Sequence, residues 1–218
     1  MIKKNFLTTG FFLAIFLCNC YASAEENFQY WNTESVSWKA SKDWKVSLGE
    51  EFRFGNNAST LYYQYSDLGV TYYGLAKWLD MGVNYRQIFN IKKNRWKYEN
   101  RPHINSTVKF DLFGLNFSDR NRIEYRNKED KSDSWRYRNK FTIKSPKFTK
   151  FEVQPYVANE IFYDFNIKAL NRNRLCGGFS CKLSDFLKAE IYYLWESTEK
   201  SEKWNDIHVL GTKLKLSF

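Results

Sequence analysis

Histidine is nearly absent from this chain and cysteine is scarce, with two of the former and four of the latter in 218 residues. His103, His208, Cys18, Cys20, Cys176 and Cys181 give no cluster with zinc-ligand spacing. No metal or other cofactor is expected. Long apolar runs are scarce too. Beyond residues 6–17, no stretch approaches the roughly 20 apolar residues that a membrane-crossing helix needs. No helical period is sustained after residue 24, which leaves the β class. Proline is down to 3 residues while aromatics reach 19%, with 15 Tyr, 19 Phe and 8 Trp, an odd balance for a soluble protein.

What is present starts with a leader. Met1-Ile-Lys-Lys-Asn5 is basic, residues 6–17 are apolar, and Ala22-Ser-Ala24 supplies a small-x-small cleavage pattern. Residues 1–24 therefore read as a signal peptide, with 25–218 as one exported domain. Leu17 and Asn19 are poor residues to precede a lipid-modified Cys18 or Cys20. The net charge of +10 falls to about +8 without Lys3 and Lys4. Basic residues spread along the whole chain, together with an export signal, argue against nucleic acid as the partner. Cys176 and Cys181 remain after export. On one straight strand their Cα atoms would stand about 16 Å apart, beyond disulfide reach; a turn at Gly177-Gly178 would bring them together.

Strict alternation then dominates. Eleven strand-like segments follow each other from residue 28, approximately 28–40, 43–54, 60–73, 77–89, 96–110, 114–127, 134–145, 149–163, 170–183, 186–197 and 204–218. In 134–145, Trp135, Tyr137, Phe141 and Ile143 alternate with Arg136, Arg138, Lys140 and Lys144. The last segment alternates Leu210, Thr212, Leu214 and Leu216 with Gly211, Lys213 and Lys215, and ends on Phe218. This is the pattern of the closing strand of an outer-membrane barrel, with Leu214, Leu216 and Phe218 as the insertion signal for the barrel assembly machinery. A soluble periplasmic sandwich or barrel gives the same alternation with its faces exchanged. Tryptophans near strand ends favour the membrane form, as do polar stretches at 55–59, 90–95, 127–133, 164–168 and 197–203 that predict longer loops at one rim. The expected fold is an antiparallel up-and-down transmembrane barrel of 10 to 12 strands in contact with outer-membrane lipids of a Gram-negative bacterium. Single-chain bacterial barrels normally have an even number of strands. Either 25–40 is not a full wall strand or a twelfth strand exists. Glu50, Asp119 and Asn121 fall on the lipid side of this scheme unless a bulge shifts the register.

The polar faces combine into one basic lumen. Its members are Arg53, Arg86, Glu99, Arg101, His103, Arg120, Arg122, Glu124, Arg136, Arg138, Glu160, Arg172, Arg174 and Glu190, with Lys97, Arg126, Lys140, Glu152 and Lys188 on the same faces. Two readings follow. Arginine forks suit carboxylates, so Glu124, Glu160 and Glu190 can hold an internal ion-pair lattice. The surplus positive charge can also make an anion path or binding site for small anionic solutes. For an enzyme, a hydrolase with His103 or His208 as base, the parts are poor. Ser106 lies three residues from His103 and points to the opposite face, so no catalytic residue is assigned.

The string Phe151-Glu-Val-Gln-Pro-Tyr-Val-Ala-Asn-Glu-Ile-Phe-Tyr163, then Leu170-Asn-Arg-Asn-Arg-Leu175, with Trp31, Glu51-Phe-Arg53, Arg120–Arg126 and Tyr192, resembles the bacterial domain of unknown function 2490 family. The resemblance implies an outer-membrane barrel. It brings no assigned activity. It also directs attention to Tyr156, Asn159, Glu160, Arg172 and Arg174 as an inter-strand lumen network.

Overall fold

The computed structural model describes residues 28–129, 131–200 and 202–218. The leader expected over 1–24 lies outside the described residues. Strands β1 (Phe28–Lys39), β2 (Trp44–Gly55), β3 (Thr60–Ala76), β4 (Leu79–Lys92), β5 (Arg95–Leu112), β6 (Leu115–Lys128), β7 (Lys131–Lys144), β8 (Gln154–Asp164), β9 (Ala169–Lys182), β10 (Leu187–Lys200) and β11 (Lys203–Ser217) follow one another around a closed barrel. Each pairs antiparallel with its chain neighbour. The closure is parallel, β1 on β11, from Phe28↔His208 to Ser37↔Ser217.

That seam corrects the expectation of a wholly antiparallel barrel with an even number of strands. Chain direction reverses at every hairpin, so in a barrel of eleven strands the first and last run the same way and can meet only in parallel. Residues 28–39 form a complete wall strand, paired on both sides. The terminal residue is tied into the seam, with Phe218 N–H donating to Ser37 O at 2.9 Å and Lys39 N–H donating to Phe218 O at 3.0 Å.

Alternation decides the faces. Val83 (62% exposed), Ile191 (52%) and Leu214 (41%) look outward with Leu68, Ile104, Ile123 and Val157, whereas Arg136 and Arg138 are buried inside. Exposed aromatics gather near both ends of the wall. Trp38, Trp44, Trp78 and a stacked Phe186–Phe218 pair lie at the rim holding the carboxyl terminus, with Trp96, Trp135 and Trp204 at the opposite rim. Cys176 and Cys181 are both free on the continuous strand β9.

Loop lengths depart from expectation. Two residues separate β4 from β5, β6 from β7 and β10 from β11, where longer loops are expected. The ladder instead continues through the polar residues, as Ile91↔Trp96 and Lys92↔Arg95, and Lys93 (φ 49°) and Asn94 (φ 59°) turn the chain in two steps. Polarity ends burial, but it does not end strand pairing. The longest connection, 145–153, lies at the carboxyl rim, where short turns are expected. Consequently β8 starts at Gln154 rather than 149, and Glu152 leaves the lumen for this turn. There Lys147 Nζ donates to Glu152 at 2.5 Å, which holds the carboxyl below its ordinary range.

No bulge rescues the polar residues on the outer wall. Glu50 is exposed and accepts from Ser66 Oγ at 3.2 Å; the β2–β3 register shift comes later, at Arg53/Phe54. Asp119 and Asn121 satisfy one another and their neighbours. Asn139 donates to Asp119 at 2.5 Å, Asn121 donates to Asp119 at 3.1 Å, and the Tyr137 hydroxyl donates to Asn121.

Candidate functional site in the barrel lumen

Every second residue of each strand points inward, so the lumen is written in the sequence at i, i+2, i+4. Around β5 to β10 these positions form one charged relay. Arg126 and Arg101 both grip Glu99 at 2.7 Å. Glu124, fully buried, receives Arg136 through Nε at 2.5 Å, Arg138 at 3.3 Å and Arg101 at 3.8 Å. Glu160 takes Arg138 and Arg120, each at 2.7 Å, and Arg174 at 3.6 Å. Arg174 continues to Glu196 at 2.5 Å, which Arg172 also meets at 3.5 Å.

Aromatic rings and amides complete the circuit. Arg53 pairs with Glu51 at 2.6 Å and lies 3.6 Å over the Trp31 ring, whose surroundings also include Arg174 at 5.0 Å. Arg86 pairs with Asp67 at 2.6 Å and stacks on Tyr65 at 3.7 Å. From there Asn84 donates to Asp67, Asn105 donates to Asn84, and Arg122 Nε donates to Asn105 at 2.6 Å. Phe162, 1% exposed, sits among the guanidinium groups of Arg136, Arg138, Arg172 and Arg174 at 4.6 to 5.5 Å. Forked guanidinium groups bridge two carboxylates or stack on a ring, which a lysine does less well.

Three expected members stand apart from the arginine relay. Glu190 is held by Lys213 at 3.1 Å and by Lys215, not by arginines, because its neighbouring strand is the lysine-bearing β11. Tyr156 belongs to an apolar cluster with Trp31, Ala158, Cys176, Tyr192, Leu194 and Val209 on the seam side. Asn159 faces outward and donates to Asn173 at 2.9 Å. His103 points inward, as expected, and is buried. Its Nδ1 meets Arg101 O at 3.2 Å, and its Nε2 stands 3.8 Å from Asp67 with no hydrogen-bond partner among the described residues. His208 is on the outer face against the Tyr193 hydroxyl at 2.5 Å. The terminal Leu214 and Phe218 are exposed and Leu216 half-buried.

Glu51, Asp67, Glu196, Trp31 and Phe162 were not part of the sequence-based site. Parity marks Glu51 beside Arg53 and Glu196 beside Glu190, and an inward aromatic in a basic lumen is a signal for cation–π stacking. Asp67 lies in the regular part of β3, on the parity of Tyr63 and Tyr65 and directly across from Arg86.

Above the relay a cavity of about 680 Å³ extends toward the rim opposite the carboxyl terminus, where Gln29, Tyr62, Lys92, Lys131 and Asn205 line it. Among its described lining residues are fourteen Lys and Arg side chains, including Arg120, Arg122, Arg138 and Lys140, against four carboxylates. A second cavity of about 300 Å³ at the same rim carries Lys92, Lys93, Arg95, Lys97, Lys128 and Lys131 against Glu99 and Glu129. Among the described residues no group of three His, Cys, Asp or Glu could hold a metal ion.

Fold and lumen together define an all-β closed barrel of eleven strands, apolar outside and charged within. The chain belongs to the family described as protein of unknown function (DUF2490), whose model matches residues 28–207. A solved structure with a similar chain course is an anion-selective porin from Comamonas acidovorans, at 8% identity and a TM-score of 0.39, covering 78% of this chain. This chain spans 55% of that porin's length. Among curated proteins none matches.

Proposed function

We propose that this protein is an integral outer-membrane barrel whose basic lumen forms a narrow, anion-preferring pore. In this reading the leader exports the chain, and the terminal strand with Leu214, Leu216 and Phe218 engages the barrel assembly machinery. The wall then rests in outer-membrane lipid. Support for the membrane comes from the inverted arrangement of side chains, since a water-soluble barrel would not leave Val83, Ile104, Val157 and Ile191 outside and Glu124 at its centre. The observation that carries anion preference is the excess of cations over carboxylates lining the main cavity. Mutual neutralisation explains the relay but leaves that excess, which attracts small anions and repels cations. Neither histidine is given a catalytic role.

The test is a reversal potential. Protein refolded into planar bilayers under a KCl gradient should pass current with chloride favoured over potassium. Cation preference, or no current at all, would overturn the pore. Recovery of the native protein in the osmotic-shock fraction without detergent would overturn the membrane placement.

A further inference from the structure

The lumen charges are not evenly compensated. On β6 and β7 two like-charged pairs face each other in succession, Arg120↔Lys140 and Arg122↔Arg138. Directly opposed like charges destabilise a sheet. Arg138 is relieved by Glu124 and Glu160, and Arg120 by Glu160 through one nitrogen. Among the described residues, Arg122, 6% exposed, donates only to the neutral Asn105, and the Nε of Arg120 has no acceptor. Glu160 faces Lys140 across β7 and β8 but is engaged by Arg120, Arg138 and Arg174, and among the described residues no carboxylate lies within ion-pair distance of Arg122 or Lys140. Arg120, Arg122, Arg138 and Lys140 line the same cavity.

We infer that Arg122, Lys140 and the free edge of Arg120 form a discrete subsite for a doubly charged oxyanion of the phosphate or sulfate type. It deepens the anion-lumen reading above and rests on it. The missing counter-charge is external. Guanidinium N–H groups arranged as a fork present paired donors to two oxygens of one anion, and an ammonium supplies a third point of charge. Chloride offers one centre and one charge, so it satisfies fewer of these donors. The subsite shares Arg120 with the relay but draws on its unbonded Nε, so filling it requires no ion pair to break. Rim lysines around the second cavity concentrate the anion at the entrance.

The experiment titrates inorganic phosphate, sulfate and chloride, at matched ionic strength, into detergent-refolded protein, read by calorimetry and by the urea midpoint. Phosphate and sulfate should bind at one site and raise the midpoint, with chloride at least about tenfold weaker, a factor of ten being about 1.4 kcal/mol. Arg122→Gln and Lys140→Gln should each weaken phosphate at least about tenfold. Because each substitution removes an uncompensated charge, each should also raise the midpoint in phosphate-free buffer, an effect that loss of a purely structural contact would not produce. Lys150→Gln, a charge lost from an exposed turn, should change neither. Equal effects of phosphate and chloride would overturn the subsite, as would unchanged phosphate affinity in both lumen variants. Chloride-selective current that persists without phosphate binding overturns the subsite and leaves the pore standing. Phosphate binding at one site without current supports the subsite and overturns only the pore.

Discussion

Replacing Glu124 by Gln tests whether the lumen relay holds the barrel together. Glu124 has no solvent-exposed surface, and three guanidinium groups converge on it, from Arg136, Arg138 and Arg101. A unit-charge pair at 4 Å is worth about 4 kcal/mol at an effective dielectric near 20. Desolvation of both partners offsets much of this in the wild type, so the pairs add little net stability while intact. Glutamine keeps the shape and one acceptor but removes the charge, leaving three cations facing one another. Removing one partner of a buried pair costs about 3–5 kcal/mol. With a urea slope of about 2 kcal/mol per molar, the midpoint should fall by about 2 M. The assay is urea unfolding in lipid vesicles, followed by tryptophan fluorescence and by the gel shift between unheated and heated samples. Adding Arg136→Met to Glu124→Gln should recover part of the loss, because it removes a cation the substitution has orphaned. A drop of under about 1 kcal/mol, or simple additivity of the two substitutions, would refute the view that Glu124 organises the relay.

Other outcomes follow from single positions. Gly178→Ala places a Cβ 2.5 Å from the Ile191 carbonyl oxygen and 2.6 Å from Tyr192 Cβ, both rigid, and overpacking there should cost about 1–3 kcal/mol in the same urea assay. Glu50→Leu replaces an exposed outer-wall carboxylate. It should stabilise the barrel in vesicles by on the order of 1 kcal/mol if that wall meets lipid, and a loss would indicate water or a polar partner there. Arg136→Ala with Arg138→Ala should lower the chloride-to-potassium permeability ratio, measured as a smaller reversal potential; an unchanged ratio would place the selectivity outside the relay.

Much of the architecture was legible in advance. In 134–145 the parity of Trp135, Arg136, Tyr137 and Arg138 already separates two faces, because side-chain direction in a strand is a local property with a period of two residues. The same parity brings Arg101, Glu124, Arg138 and Glu160 into one interior. Partner choice was less legible. Glu190 is as acidic and as inward as Glu160, yet it meets Lys213 and Lys215 where Glu160 meets Arg120, Arg138 and Arg174. Only the neighbouring strand and its register distinguish them.

The sequence by itself therefore determined the β class, the inward and outward faces and the basic character of the interior, since each depends on composition and on neighbours two residues away. Tertiary structure alone decided the parallel seam of β1 on β11, the two-residue turns through polar segments, and the positions of Arg122 and Lys140 opposite like charges. Those features depend on how many strands close the circle and how each is staggered on the next. Such choices couple residues as far apart as Phe28 and His208, and no short stretch of chain contains them.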